Sequence, residues 1–351
     1  MELYTQLAIE LLKAIIPIRA YSFEEKERAD FIYKWLKGQD VDVQRIGNNL
    51  WAKHIFNADA PTLMLCAHID TVQAAQSYTF DAINPPDDPD RVLGLGSNDD
   101  GGSVVSMIAT FLYFKERGNC PVNLLLLLSC EEERSGEGGT RSLGDFISRN
   151  ADFAIVGEPT RMRATIAECG LLVIDGCAKG RSAHAARASE GENAIYKAME
   201  DIARLKAFKF DRVSPSLGEV KLSVTQIEAG SAHNVIPDNC KFVVDIRPNE
   251  LYSNAEILQL LQKEVGSKLS ARNLTNRASA TPKESPLFKA AQTLGMEMIT
   301  SPTSSDWMRL PIPAIKIGPG DSNRSHKADE YILKSEIEQG IEIYINFIEN
   351  L

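Results

Sequence analysis

The sequence has little that would suit a nucleic-acid ligand or a membrane. Its 351 residues include 38 Lys and Arg against 48 Asp and Glu, so the formal net charge is −10 at pH 7 and no basic surface for phosphates is expected. The longest apolar runs, such as residues 124–128, are far shorter than the roughly 18 residues of a membrane-spanning helix. Glu2 stands where a secretory signal carries positive charge, so a cytoplasmic protein is expected.

The cysteines are few and stand singly, without a CxxC pair. They are Cys66, Cys120, Cys130, Cys169, Cys177 and Cys240. This spacing predicts buried reduced thiols and excludes a disulfide framework or a thiolate zinc site. A metal site in this chain would have to be built from imidazoles and carboxylates, which suit zinc or a neighbouring first-row metal.

The length and the order of predicted elements indicate two domains. A chain of 351 residues exceeds the roughly 250 to 300 residues at which a single core usually splits. Residues 172–279 show a β-α-β-β-α-like order, with helices over about 191–205 and 253–269, and are expected to form an inserted α+β, ferredoxin-like domain. Residues 1–171 and 280–351 are expected to form an α/β domain with a sheet covered by helices.

The first hundred residues carry clear local signals. A helix is predicted over residues 2–15, and a second is predicted from Ser22 to Gly38, with Ser22 and Glu25 as a capping box. Residues 41–55 alternate in polarity and predict a hairpin around Gly47.

Three apolar runs that look like strands buried on both faces end in polar residues. They cover residues 62–67, 122–129 and 153–156, and a helix over 102–117 is predicted between the first two. The runs lead directly into His68 and Asp70, into Glu131 to Glu133, and into Glu158. Because ligands bind beyond the carboxyl ends of strands in such sheets, these side chains are expected to converge.

Each of these motifs alone has an ordinary structural explanation. His68 and Asp70, at positions i and i+2, project to the same side of a strand end, so Asp70 could orient a metal-binding His68. Asp99 stands in a Gly-rich turn, and His326 in a polar loop where a histidine is usually solvated. The three adjacent acids Glu131 to Glu133 repel one another, and a nearby cation would relieve that repulsion. They could also form a solvated acidic cap on the next helix.

Taken in order, the motifs resemble a known family. The segments AHIDTV, GSNDDGG, SCEEER, VGEPT, GRSAHAARASEGENAI, NVIPD, DIRP and SHKADEY are similar to those of dinuclear metallohydrolases that include acetylornithine deacetylase, succinyl-diaminopimelate desuccinylase, aminoacylase and glutamate-releasing carboxypeptidases. The resemblance covers nearly the whole chain. It implies a zinc-peptidase-like catalytic domain with an inserted lid domain that commonly forms a homodimer.

The resemblance also implies a ligand set of two divalent ions, Zn²⁺ first and Co²⁺ as the alternative. His68, Asp99 and Glu158 would bind one ion, and Asp99, Glu133 and His326 the other. Asp70 would orient His68, Glu132 would act as the general base, and Glu131 would be no ligand.

Further residues are implied to contact the substrate. His184 matches a histidine that steadies the oxyanion at the partner's site in such dimers, while Asn234 and Arg247 match positions that hold the substrate carboxylate. Three departures stand out: Gly101 replaces a Lys of many members, Ala188 replaces a Pro, and a Gly-Gly-Thr-Ser-Asp-x-Arg segment is reduced to TSSDWMR, which leaves the substrate contact of Arg309 open.

These features together predict an enzyme that hydrolyses N-acyl amino acids. The resemblance is closest to acetylornithine deacetylase, so N-acetyl- or N-succinylornithine is the expected substrate, in arginine biosynthesis. The alternatives are a succinyl-diaminopimelate desuccinylase, an acetyl-lysine or acetylcitrulline deacetylase, a dipeptidase, and a catalytically silent metal-binding homologue.

Overall fold

The computed structural model describes residues 1–351 and consists of eight α-helices and seventeen strands. The helices are α1 (Glu2–Ile15), α2 (Lys26–Gly38), α3 (Gly102–Arg117), α4 (Gly144–Asn150), α5 (Ala194–Ala207), α6 (Asn254–Glu264), α7 (Pro286–Thr293) and α8 (Lys334–Glu349). The strands are β1 (Gln44–Ile46), β2 (Asn49–His54), β3 (Thr62–His68), β4 (Arg91–Leu93), β5 (Asn123–Ser129), β6 (Phe153–Val156), β7 (Ala164–Glu168), β8 (Leu172–Lys179), β9 (Ala183–His184), β10 (Lys221–Ala229), β11 (Val235–Ile236), β12 (Asn239–Arg247), β13 (Lys268–Ala271), β14 (Ser279–Ala280), β15 (Met298–Ser301), β16 (Ala314–Lys316) and β17 (Tyr331–Leu333).

The chain divides into two compact units. The first comprises residues 1–166, 281–299 and 305–351, and the second comprises residues 167–280 and 300–304. No helix combines the length and the apolar character needed to cross a membrane.

The first unit is built on a mixed sheet in the order β1-β2-β5-β3-β6-β16-β7. Strands β5, β3, β6 and β16 are parallel neighbours, while β2 pairs antiparallel with β5. Every residue of β3, β5 and β6 is buried, as expected for strands covered on both faces.

The side chains of β3 show how both faces of this sheet are covered. Leu63 and Leu65 belong to one core cluster, which also contains apolar residues of α1, α2, α3 and α8. Met64 and Cys66 belong to a second cluster with Leu143, Ile147 and Trp307 on the opposite face. This alternation follows from the two-residue period of a strand. Because apolar side chains cover both faces of the sheet, polar functional groups are expected only at the strand ends.

The second unit contains a four-stranded antiparallel sheet in the order β10-β12-β8-β13. Along the chain its main elements follow the order β8-α5-β10-β12-α6-β13, which is the β-α-β-β-α-β arrangement. Ala198 of α5 and Leu261 of α6 pack with Phe242 in one core cluster, so both helices cover the same face of the sheet.

Two predicted helices differ most from the structure. Helix α2 begins at Lys26, and the hydroxyl of Ser22 donates a hydrogen bond to Asp70 at 2.7 Å, so Ser22 caps no helix. Helix α6 ends at Glu264, before the predicted end at residue 269. The N–H groups of Gly266 and Ser267 donate to the Asp201 carboxylate, and the following residues pair with β8 as strand β13.

Candidate metal centre

The carboxyl ends of three parallel strands form the floor of the candidate site. In the register of the sheet, His68 at the end of β3 lies beside Ser129 at the end of β5, and Cys66 lies beside Val156 at the end of β6. The segments that follow these strands therefore start at one edge of the sheet. They carry Asp70, Glu132, Glu133 and Glu158.

His68 is buried between two carboxylates. Its Nε2 lies 3.1 Å from Asp99 Oδ1, and its Nδ1 lies 3.0 Å from the carbonyl oxygen and 3.5 Å from the carboxylate of Asp70. Burial alone would lower the pKa of His68, but the hydrogen bonds with Asp70 and Asp99 outweigh it and raise the pKa well above its usual value. Asp70 thus contacts the ring nitrogen that faces away from Asp99.

Asp99 lies in an irregular turn at residues 97–101 that a buried glutamate holds from the far end of the chain. The carboxylate of Glu330 accepts the N–H groups of Gly96, Asn98 and Asp99 at 2.9–3.0 Å. Gly96 has φ of +75°, a conformation that glycine adopts without the strain of a side chain. Glu330 therefore fixes the backbone that presents the Asp99 carboxylate.

The glycine at position 101 is required by its neighbours. A Cβ atom at Gly101 would lie 2.3 Å from the carbonyl oxygen of Gly96 and 2.6 Å from a methyl group of Leu12. A lysine side chain therefore has no room at this position, which accounts for the departure noted in the sequence.

The three consecutive glutamates are directed differently. Glu131 adopts φ of +59°, and its carboxylate accepts the N–H of Gly138 at 2.8 Å. Glu133 Oε1 lies 2.8 Å from His326 Nε2, which is also 3.6 Å from Asp99 Oδ2. The hydrogen bond with Glu133 is the main cause that raises the pKa of His326 to about 9.

The donor atoms form two clusters that share one histidine. Ligand atoms of His68, Asp99 and Glu133 lie within 4.8 Å of one another, and so do those of His68, Glu132 and Glu158. His326 joins the first cluster through its contacts with Glu133 and Asp99. Glu132, which the resemblance makes the general base, belongs to the same cluster as Glu158.

The chemistry of this donor set suits divalent cations. Burial raises the pKa of Glu132 and of Glu158 well above the usual value, and repulsion from neighbouring carboxylates adds to this effect. A cation among these groups would favour their charged forms. Imidazole nitrogens and carboxylate oxygens without a thiolate are ligands for zinc and for other first-row metals, so the residues fit a dinuclear site.

Two of the predicted substrate-contact residues, His184 and Asn234, lie in the second unit. In the second unit, His184 pairs with Val235 between strands β9 and β11, and the carbonyl of Asn234 accepts the N–H of Ala185. His184 is exposed, and its Nδ1 accepts the N–H of Ala186 at 3.1 Å. The structure thus brings His184 and Asn234 together within this unit.

Both predicted arginines are engaged by nearby carboxylates. Arg247 forms a bidentate pair with Asp245, at 2.9 and 3.2 Å. Arg309, whose side chain is 3% exposed, lies 3.4 Å from Asp306 in the first unit, while its Nε and Nη2 have no hydrogen-bond partner. Asp306 also accepts hydrogen bonds from Ser129 and Thr140.

Sequence reasoning missed the residues that support the donors from behind. They are Ser22, Glu25, Asn49, Asp306 and Glu330. The Ser22 to Glu25 spacing predicts a helix cap, and Asp306 and Glu330 stand in the TSSDWMR and SHKADEY segments, where the resemblance gives roles only to Arg309 and His326. Polar side chains that bond to backbone N–H groups far along the chain leave no local pattern.

Comparison with known proteins assigns the family. The model of peptidase family M20/M25/M40 matches residues 64–350. A putative succinyl-diaminopimelate desuccinylase DapE of Mycobacterium tuberculosis is 30% identical over 97% of both chains, and a succinyl-diaminopimelate desuccinylase of Orientia tsutsugamushi is 24% identical over 97% of this chain and 95% of its own.

Solved structures share the fold over the whole chain. Aminopeptidase PepT from Bacillus cereus has a TM-score of 0.78 at 18% identity and covers 99% of this chain and 98% of its own. The YxeP protein of Bacillus subtilis, described as a dinuclear metal-binding peptidase of family M20, has a TM-score of 0.75 at 14% identity over all of both chains. This chain belongs to peptidase family M20/M25/M40 and is a metal-dependent hydrolase that acts on amide bonds.

Proposed function

We propose that this protein is a two-metal deacylase of N-acylated diamino acids. The observation that carries the proposal is the pair of donor clusters that share His68, one of which contains Glu132. N-acetyl- or N-succinylornithine is the first candidate substrate, from the sequence resemblance. Succinyl-diaminopimelate is the second, because two relatives that match nearly the whole chain carry the name of its desuccinylase.

In the proposed site, His68, Asp99 and Glu158 would hold one ion, and Asp99, Glu133 and His326 the other. The contacts of Glu133 and Asp99 with His326 support the second set. Zn²⁺ is the first choice and Co²⁺ the alternative. When bound, the two divalent ions would polarise the scissile carbonyl and make the attacking water more acidic.

The side chains of this protein perform the remaining steps of the proposed mechanism. Glu132 takes a proton from the attacking water and delivers it to the leaving amine. Its burial suits this role, because a raised pKa makes the carboxylate a better base. Asp70 holds the His68 ring through contacts with Nδ1, which leaves Nε2 for the ion.

Substrate recognition is proposed to involve the second unit as a lid. His184 of one protomer would donate a hydrogen bond to the developing oxyanion in the other protomer. Its exposed ring leaves Nε2 available, because only Nδ1 accepts a bond from Ala186. Arg247 and Asn234 would hold the substrate carboxylate, with Arg309 as a further candidate. A guanidinium suits this role because it can form a bidentate pair of hydrogen bonds with a carboxylate.

A homodimer through the second unit is part of this proposal. Strand β10 is an edge strand of nine residues, seven of which are exposed, in the four-stranded sheet. Helix α5 of the same unit exposes Tyr196 and Met199, at 66% and 58%. An open edge and an exposed apolar pair favour a second copy of the chain. Sedimentation of wild type and Tyr196→Glu/Met199→Lys tests this, and a dimer is expected only for wild type.

The substrate assignment is tested with metal-loaded protein. Protein reconstituted with Zn²⁺ or Co²⁺ is assayed against acetylornithine, succinylornithine, acetylcitrulline, acetyl-lysine, succinyl-diaminopimelate and a dipeptide. We expect one acylated diamino acid to have the highest kcat/KM. Failure to turn over any acyl amino acid, with both ions bound, would leave a silent metal-binding homologue as the better description.

A further inference from the structure

Four consecutive backbone N–H groups next to the donor clusters are all bound by buried side chains. The N–H of Cys130 donates to Asn49 Oδ1 at 3.1 Å, and that of Glu131 donates to Glu25 Oε1 at 3.2 Å. The N–H groups of Glu132 and Glu133 donate to the two carboxylate oxygens of Asp70, at 3.0 and 3.1 Å. The N–H groups of Glu132 and Glu133 bind the same carboxylate, as successive N–H groups do in an anion-binding nest.

The first two acceptors come from a part of the chain outside the matched family segment. Glu25 and Asn49 precede residue 64, where the family match begins, and both are completely buried. Glu25 is the N-cap residue of α2, but its side chain caps no N–H of the helix, and its Oε1 accepts the N–H of Phe23, which lies before the helix. Asn49 also donates to the carbonyls of Ile46 and Gly138, at 3.0 and 2.7 Å.

The bound segment contains a residue in an unfavourable backbone conformation. Glu131 has φ of +59°, which a side chain with a Cβ adopts only when the surroundings hold it. This conformation turns the Glu131 carboxylate to Gly138. The carboxylates of Glu132 and Glu133 are left in the two donor clusters.

We propose that Glu25 and Asn49 are positioning residues for the hydrolytic site. By binding the N–H groups of Glu131 and Cys130, they hold the backbone turn that directs Glu132 and Glu133 to the metals. The inference rests on the roles proposed above for these two glutamates. Asp70 binds the next two N–H groups, so Asn49, Glu25 and Asp70 together bind the N–H groups of residues 130–133.

The test compares Glu25→Ala, Glu25→Gln and Asn49→Ala with wild type in the full-length protein. Zn²⁺ affinity is measured by calorimetry on metal-free protein, the site geometry by the visible spectrum of the Co²⁺ form, and turnover by kcat and KM. We expect Glu25→Ala and Asn49→Ala to weaken Zn²⁺ binding and to lower kcat about tenfold each, with a changed Co²⁺ spectrum and KM within about twofold.

Glu25→Gln distinguishes the loss of the hydrogen bond from the loss of side-chain volume. Glutamine keeps one acceptor oxygen for the Glu131 N–H, so Glu25→Gln should recover most of kcat and the wild-type Co²⁺ spectrum. Ser285→Ala is the matched control, because Ser285 caps α7 by accepting the N–H of Leu287 in the same unit. It should lower the melting temperature and leave metal affinity, spectrum and kcat unchanged.

Wild-type metal affinity, spectrum and kcat in folded Glu25→Ala and Asn49→Ala would overturn the inference. If Glu25→Ala does not fold, Asn49→Ala decides by the same criteria. A wild-type protein that binds metal but hydrolyses no acyl amino acid would refute the proposed function, while the affinity and spectrum of the variants would still test the positioning.

Discussion

His326 Nε2 lies 2.8 Å from Glu133 Oε1, although 193 positions separate the two residues in the chain. The Glu133 side chain is 7% exposed, whereas that of His326 is 52% exposed. The loop before α8 therefore supplies an imidazole to a carboxylate that follows β5. One of the two proposed ion sites depends on this contact.

Removal of divalent ions should lower the thermal stability of the protein. The donor clusters place several carboxylates close together, and an ion that binds only the folded state stabilises it by about 2.7 kcal/mol at a free concentration of 100 Kd. Melting curves with chelator, and after addition of Zn²⁺, check this. The effect should shrink in His326→Ala and persist in His54→Asn, since His54 lies in β2 beside Phe56. Equal melting temperatures with and without ions would contradict the prediction.

Glu132→Gln should lower kcat by about 10² to 10⁴ while the protein still binds metal, because the amide cannot accept a proton from water. Glu131→Gln is the matched control, since the Glu131 carboxylate accepts the N–H of Gly138. It should keep kcat within about twofold of wild type. Steady-state kinetics together with metal analysis of both variants provide the measurement. Unchanged turnover in Glu132→Gln would remove it as the base.

His184→Ala should reduce kcat about 10²-fold without loss of bound metal, because the hydrogen bond that it removes stabilises the oxyanion of the transition state. His233→Ala, at another exposed histidine of the second unit, serves as the control and should retain kcat. Mixing His184→Ala with Glu132→Gln protein tests action across a dimer. Recovery of activity in the mixture is expected, and wild-type kcat in His184→Ala alone would disprove the role.

Arg309→Met should destabilise the first unit by about 3 kcal/mol, because it leaves the buried Asp306 carboxylate without its cation. Arg149→Met is the comparison, since Arg149 and Asp145 form an exposed pair worth at most about 1 kcal/mol. Urea unfolding measures both free energies. A raised KM in folded Arg309→Lys would add a substrate contact to this structural role, and an unaltered unfolding curve for Arg309→Met would refute the structural role.

Gly176→Ala should destabilise the second unit by about 1–3 kcal/mol. A Cβ at this position of β8 would lie 2.2 Å from the Phe242 ring, in the core of that unit. Gly38→Ala, at the end of α2, meets no atom within 4 Å and should be neutral or slightly stabilising. Differential scanning calorimetry distinguishes the two variants. Equal stabilities would show that the Phe242 ring can move away from the new Cβ without a loss of folding free energy.

Local signals predicted most elements where one period dominates. Helix α1 and strand β6 have the predicted bounds, and β3 and β5 differ from prediction by one residue. The errors occurred where a distant partner overrides the local pattern. Ser22 has the spacing of a cap but bonds to Asp70. Residues 268 and 269 lie at the end of the predicted helix over 253–269 but belong to β13, which pairs with β8.

The sequence by itself determined that the core strands are buried on both faces and that acids and histidine follow them, because strand periodicity and donor chemistry are properties of short segments. Only the tertiary structure decided which donors share a cluster, that Glu131 turns to Gly138, and that Arg247 and Arg309 have carboxylate partners. Glu131, Arg247 and Arg309 contact residues only two to seven positions away. The donor clusters, in contrast, depend on contacts between residues far apart in the chain, such as His68 and Glu158. Such contacts are set by how buried hydrogen-bond donors find acceptors, and no local pattern records them.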